Sequence, residues 1–201
     1  MNFWDQRYSE DGFAYGTLAN DFLADQTHHI PQGRVLCLAE GEGRNAVHLA
    51  KLGYQVTAVD QSAVGINKAR QLAELHQVSI NTLVADLADY PIISSDWDGI
   101  VSISAHLPPA IRQRVHQQVV NGLKPGGILI LEAYTPRHLD IGGIGGPSRE
   151  NKDMFMSLNI LRTELKGLIF DLAREVDREV NEGRYHKGMG SVVQLVARKP
   201  Q

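Results

Sequence analysis

Four short apolar runs, at residues 34–39, 55–59, 79–85 and 97–103, each stop at a turn or a polar residue. Helical spacing follows the first, second and fourth of them. This alternation constrains the fold more than any other feature: strands separated by helices make a parallel sheet with helices on both faces. The helix at 45–52 closes at Gly53. The next, at 63–76, places Ile66, Ala69, Leu72 and Ala73 on one face. Pro108 and Pro109 open a helix to about residue 123, since proline suits a first turn. Pro125, Gly126 and Gly127 then break the chain before a fifth strand at 128–133. Crossovers are expected to be right-handed. Ligands in such sheets bind beyond the carboxyl ends of the strands, where the strand order reverses. Glu40, Asp60, Asp86 and residues 104–106 each follow a strand.

Past Tyr134 the pattern changes. The loop at 140–148 contains GGIGGP, too glycine-rich to hold one conformation unaided. A helix is predicted over 154–165. Two long strands, at 168–180 and 191–197, are joined by NEGRYHKG. A connection that short makes them antiparallel.

The chain has 201 residues, about one domain, and its apolar fraction of 43 % is ordinary for a globular protein. No apolar run approaches a membrane span. The start, MNFWDQRYSED, has no basic segment followed by an apolar one, so no secretory signal is expected. Cys37 is the only cysteine and lies in an apolar run, where it reads as a small core residue. No internal disulfide can form, and a reducing, cytoplasmic compartment fits. The net charge is -3, and the basic residues are scattered, so no nucleic-acid partner is expected. No histidine spacing suggests a metal site. Nothing demands more than a monomer.

The stretch CLAEGEGRNAVHLA sets glutamates among glycines at the end of the first strand. Gly41-x-Gly43-x-x-Ala46 satisfies a dinucleotide fingerprint, and Asp60 lies where a ribose-binding acid belongs. Pattern alone does not separate a nicotinamide cofactor from S-adenosylmethionine. Charge favours the second. A dinucleotide would bring its pyrophosphate against the turn, beside Glu40 and Glu42, and like charges at a recognition site cost several kcal/mol. S-adenosylmethionine has no phosphate and carries a cationic amino group and sulfonium. Glu40 ends the strand and is the better candidate for a direct role; Glu42 either shares it or points to water. Asp60 can accept both ribose hydroxyls or cap the helix at 63, although Ser62 can cap instead. Asp86 either accepts from the adenine amino group, with Leu87 on the ring, or closes a local turn.

These residues carry a resemblance. VLCLAEGEGRNAVHLAKLGYQVTAVDQS, then VADLADY, then LKPGGILILEAY resembles the class I S-adenosylmethionine-dependent methyltransferases. It looks most like the small bacterial group related to tellurite-resistance and thiopurine methyltransferases. FWDQRYSEDGFAYGTLANDFL resembles that group's N-terminal cofactor cover. The resemblance implies one α/β domain over 1–201, with a Rossmann-like, seven-stranded, mostly parallel sheet in the order 3-2-1-4-5-7-6, strand seven antiparallel. Residues 1–30 would be the cover, and 134–165 the acceptor-side loop and helix. Glu40, Gly41 and Gly43 would meet the methionine part, Asp60 the ribose and Gln61 the adenine edge. Asp86 and Leu87 would frame the adenine, and Ser104 would lie near the amino end. Family members often have aspartate in place of Glu40 and a third glycine in place of Asn45.

What the resemblance implies chemically is transfer of an activated methyl group to an acceptor, leaving S-adenosylhomocysteine. The main task is alignment of acceptor, methyl and sulfur; a base is needed only where the acceptor must lose a proton. A small-molecule acceptor is expected, because SISAHLPP lacks the Asp/Asn-Pro-Pro-aromatic pattern of base-amine methylation. His106 is the candidate base or orienting group, or else a backbone-bonded histidine. Tyr15, Tyr134, Tyr185 and His186 are candidates for the acceptor pocket or for loop packing. The 140–148 loop either closes over the acceptor or is a loose connection. A nicotinamide-dependent reductase lacks its Tyr-x-x-x-Lys pair here. A protein methyltransferase and a non-catalytic cofactor-binding protein stay open as alternatives.

Overall fold

Val35, Leu36, Cys37 and Leu38 are all buried, because their strand runs through the middle of a sheet covered on both faces. The computed structural model describes residues 2–201. In chain order its elements are α1 (Phe3–Tyr8), α2 (Asp21–Gln26), β1 (Arg34–Leu38), α3 (Arg44–Lys51), β2 (Gln55–Asp60), α4 (Ala63–Leu75), β3 (Asn81–Val84), β4 (Trp97–Ile103), α5 (Pro109–Gly122), β5 (Leu123–Tyr134), α6 (Arg137–Asp140), α7 (Leu158–Glu164), β6 (Ile169–Glu182) and β7 (His186–Arg198). The strands form one sheet in the order β3-β2-β1-β4-β5-β7-β6. β1 to β5 pair in parallel, and β7 runs antiparallel to both β5 and β6. This is the Rossmann-like order that the family resemblance implied.

The local chemistry agrees with these boundaries. Asn20 caps α2 by accepting from Leu23 N at 2.9 Å, and Ser62 caps α4 by accepting from Gly65 N at 3.0 Å. Pro109 sits in the first turn of α5. One core layer gathers Leu36, Leu38, Leu129 and Leu131 with Val115 and Val119 of α5 and Leu161 of α7. The other gathers Val35, Cys37, Ile128 and Ile130 with Leu23 of α2 and Leu49 of α3. Alternate residues of the central strands thus feed opposite layers.

Three boundaries differ from the sequence expectation. β5, expected at 128–133, begins at Leu123, which pairs with Trp97 ahead of a register shift, so Pro125–Gly127 do not break the chain before the strand. The helix predicted over 154–165 begins only at Leu158, because Ser157 provides its cap. Before it, residues 149–154 form a 3-10 turn and Phe155 is extended, fully buried, against Tyr134 and Val192. The terminal strands are longer than expected, reaching Glu182 and His186, so only residues 183–185 make the turn. That extension carries the hairpin past the end of β5 and over the carboxyl edge of the sheet.

Gly43 is a tight joint between helices at this edge. Its φ is +89°, and a Cβ there would lie 2.6 Å from Cβ of Ala69 on α4. Gly43→Ala should therefore cost about 2–4 kcal/mol, from left-handed backbone plus overpacking. Urea unfolding checks this, and a loss below about 1 kcal/mol would mean that the two helices do not meet here.

Candidate functional site

The turn after β1 alternates its handedness, with positive φ at Ala39 (49°), Gly41 (63°) and Gly43 (89°). Gly43 has no side chain to cap α3, and Glu40 does so in its place. Its Oε1 accepts from Asn45 N at 2.9 Å and Ala46 N at 2.8 Å. Burial raises the Glu40 carboxyl to about 7 against the pull of these amides and Arg44. Glu42 does not point to water. It accepts from Ala14 N at 2.7 Å and meets Lys68 Nζ at 3.1 Å. At the end of β2, Asp60 accepts from Gly41 N and Ser62 N, each at 2.8 Å; burial raises its carboxyl too. Gln61 and Asp86 are exposed and Leu87 is buried. Asp86 Oδ1 accepts from Ala88 N at 2.8 Å, closing a local turn.

The N-terminal segment lies across this turn. A Cβ at Gly41 would come within 2.5 Å of the Tyr8 hydroxyl oxygen, and one at Gly65 within 2.8 Å of the Tyr8 ring. Ser62 Oγ donates to Asp5 at 2.6 Å, and Lys68 Nζ to the carbonyl of Gly12 at 2.6 Å. The hairpin tip holds the segment from the other side. Arg184 N donates to the Ala14 carbonyl at 2.8 Å, and Gly183 approaches the Tyr15–Gly16 backbone too closely for any side chain. Arg7 lies 3.7 Å above the Tyr185 ring and donates to the Tyr15 hydroxyl at 3.2 Å. Tyr15 and Tyr185 therefore sit in the clasp between segment and hairpin.

Beyond β4 and β5 lies a second chamber. Ser104 has a positive φ (56°), and its N–H donates to the Glu132 carbonyl at 2.8 Å. The Tyr134 ring is 3.9 Å from that of His138 and 5.4 Å from that of His186, which lies 4.5 Å from Tyr15. The glycine loop rests on these rings. A Cβ at Gly145 would meet His186 at 2.8 Å, one at Gly146 would meet Tyr134 at 2.8 Å, and Gly143 abuts His138. His106 is engaged at both ring nitrogens: Nδ1 contacts the Met154 carbonyl at 3.1 Å and Nε2 accepts from Tyr134 N at 3.3 Å. Burial pushes it down to about 4, so it is neutral at neutral pH.

Under the chamber runs a buried charge network that the sequence reading missed. Arg178 bridges Glu132 (2.6 Å) and Glu182 (2.7 Å), and Arg44 reaches Glu182 Oε2 at 2.6 Å. Asn20 Nδ2 donates to both carboxylates, and Gln194 Nε2 donates to Glu132. Burial alone would raise Glu182, but His186, Arg44 and Arg178 outweigh it and hold the carboxyl well below the usual range. Ser104, Glu132, Tyr134, Arg178 and Glu182 line a small cleft here. A signal existed for Glu132: it interrupts the apolar run ILILEAY. None marked Arg44, which reads as an ordinary helix start. Among the described residues no three His, Cys, Asp or Glu are grouped to hold a metal, and no helix is long and apolar enough to cross a membrane.

Residues 35–127 match the family described as Methyltransferase domain. An uncharacterized methyltransferase, YbaJ, of Bacillus subtilis is 33 % identical over 104 residues, 51 % of this chain and 41 % of its own. The tRNA 5-carboxymethoxyuridine methyltransferase of Escherichia coli is 34 % identical over 109 residues, 53 % and 42 % of the two chains. The chain thus spans about two fifths of the length of the curated relatives it matches. TehB of Haemophilus influenzae superposes with a TM-score of 0.71 at 20 % identity, over 98 % of this chain and 66 % of that one. A SAM-dependent methyltransferase of Methanosarcina mazei gives 0.68 at 21 %, over 91 % and 99 %. At these identities the structural likeness is one of fold. Over residues 35–127 the chain is thus similar to methyltransferase-domain proteins, and its fold is like that of the solved S-adenosylmethionine-dependent methyltransferase it superposes on.

Proposed function

We propose that the protein transfers a methyl group from S-adenosylmethionine to a small-molecule acceptor by in-line displacement, leaving S-adenosylhomocysteine. The observation that carries this reading is Asp60: a carboxylate at the end of β2, held by the Gly41 and Ser62 amides beside a glycine turn. The residues present fit the donor. Asp60 would take the ribose hydroxyls. Exposed Gln61 and Asp86, with buried Leu87, would frame the adenine. Gly41 and Gly43 would let the methionine part approach the backbone, with Ser104 near the amino end. Glu40 acts through α3, whose first amides it fixes. The donor supplies the activated methyl group; the chain aligns it and excludes water.

In this reading residues 1–30 are the donor's cover and 134–165 the acceptor side of a single domain. Tyr8 lies on Gly41 and Gly65, so the cover must shift for the methionine part to enter. Tyr134 and His186 face the acceptor under the glycine loop, while Tyr15 and Tyr185 hold the cover to the hairpin. A small cleft with aromatic rings packed beside it suits a small acceptor. His106, with both ring nitrogens on backbone partners, braces the chamber wall.

Titration calorimetry tests the donor. S-adenosylhomocysteine should bind and NAD should not; tight binding of NAD alone rejects the reading. Asp60→Ala should weaken S-adenosylhomocysteine about 10- to 100-fold, the worth of lost charge-assisted hydrogen bonds, while the protein stays folded. Unchanged affinity removes Asp60 from the site. Donor binding without turnover over a broad acceptor panel would favour a non-catalytic binding protein.

The bracing role of His106 has a pH signature. Its folded value of about 4 lies below its ordinary 6.5, so the unfolded chain takes up the proton first. The stability it contributes is full above about pH 6.5 and is lost as the pH falls towards about 4. The stability gap between wild type and His106→Gln, read by urea unfolding, should narrow over that interval. A gap constant from pH 7 to pH 4 would mean that the ring is not buried neutral.

A further inference from the structure

Three histidines pack around Tyr134, and they are not equivalent. His106 has no free nitrogen. His138 Nε2 is also buried without a partner, but its Nδ1 accepts from Ser191 N at 3.3 Å, so Nε2 carries the ring proton and has no lone pair to offer. His186 Nδ1 is buried without any hydrogen-bond partner. The nearest charge is Glu182 Oε2 at 3.9 Å, too far for a hydrogen bond but close enough to attract an imidazolium. The same carboxylate oxygen holds Arg44 Nη2, and the other nitrogen of that guanidinium, Nη1, is also buried without a partner. Arg44 and His186 are 8 % and 6 % exposed. Thus an unpartnered imidazole nitrogen and an unpartnered guanidinium nitrogen flank one carboxylate, beside Tyr134 and the small cleft that Tyr134 and Glu182 line.

Building on the methyl-transfer reading, we propose that His186 is the catalytic base of the reaction, that Arg44 Nη1 receives the acceptor oxygen, and that the acceptor is a small molecule bearing an acidic hydroxyl of the phenol or enol type. As the oxygen attacks, its proton passes to His186 Nδ1. The new bond joins oxygen to the methyl carbon, and the methyl–sulfur bond breaks with its electron pair going to sulfur, which becomes neutral. The positive charge lost from sulfur reappears on His186, next to Glu182. An amine attacking as its free base, or a carboxylate, would need no base. An alkyl alcohol is far less acidic than a phenol, which titrates near 10, and lies beyond what a neutral imidazole can assist well. A thiolate would use the hard guanidinium donor poorly. The charged and titratable groups around His186 are Tyr15, Arg44 on α3, Glu132 and Tyr134 on β5, His138 on α6, Arg178 and Glu182 on β6, and His106 after β4. Glu182 pulls the ring towards the charged form, but burial outweighs it and lowers His186 overall, so the free base is present at neutral pH.

The test has two arms on the full chain. Nitrogen-15 NMR of the S-adenosylhomocysteine complex at pH 7.5, with the resonance assigned by its loss in His186→Asn, should show Nδ1 unprotonated; a protonated Nδ1 overturns the proposal. Methyl-labelled S-adenosylmethionine is then incubated with a deproteinised metabolite extract and a panel of phenols, thiols, amines and alkyl alcohols. The expected product is an O-methyl ether. His186→Asn should lower kcat at least about 100-fold, with KM within a few-fold, S-adenosylhomocysteine binding retained and the acid limb of the kcat profile lost. An N- or S-methyl product, donor binding with no labelled product, or retained kcat in His186→Asn would overturn it. Failure to bind S-adenosylhomocysteine at all would instead reject the methyl-transfer reading on which it rests.

Discussion

The Glu182 carboxylate is the point on which the site depends. It receives Arg44 from the start of α3, Arg178 from its own strand and Asn20 from the start of α2. Through Arg178 and Asn20 it is tied to Glu132 on β5. Four segments distant in sequence thus converge on two carboxylates and two guanidiniums, which balance in charge. Buried pairs of this kind add little net stability against an apolar replacement, yet removing one partner strands the other at a cost of about 3–5 kcal/mol. Their value here is positional: the hairpin tip, the first turn of α3 and the N-terminal segment are held in one register around the chamber.

Glycines perform the complementary task of letting things come close. Gly41 and Gly65 admit the Tyr8 ring, Gly183 admits the Tyr15–Gly16 backbone, and Gly145 and Gly146 rest on His186 and Tyr134. In each case the missing Cβ is space already used by an aromatic ring or by main chain. The glycine-rich loop, too permissive to fix its own shape, takes one from the rings beneath it.

How far the sequence could be read follows from range. The strands, Asp60, the capping of α4 by Ser62 and the closing hairpin were legible because each rests on local periodicity or on neighbours a few residues away. The helix start at Leu158 was not, since the run from 154 looks helical until Phe155 is seen packed in an extended turn against Val192. Glu40 and Glu42 were legible as acids at a turn but not in their partners. Glu40 turns inward to α3, and Glu42 to Ala14 and Lys68. The Glu132–Arg178–Glu182–Arg44 set joins residues 46 and 138 positions apart, and no pattern in a single sequence announces such a meeting.

That long-range set also joins the two halves of the site. The N-terminal segment bonds to Glu42 at the glycine turn through Ala14 N, and to the hairpin through the Ala14 carbonyl and Arg184 N. A few residues on, Asn20 bonds to Asn45 in α3 and to both chamber carboxylates. Lifting Tyr8 from Gly41 therefore pulls on the same main-chain stretch that steadies Glu182, and through it Arg44 and the surroundings of His186. Hydrogen bonds on both sides of one residue, Ala14, make the cover and the chamber mechanically continuous. Seating of the segment thus closes Tyr8 over the glycine turn and fixes the charges around Glu182 through one continuous set of contacts.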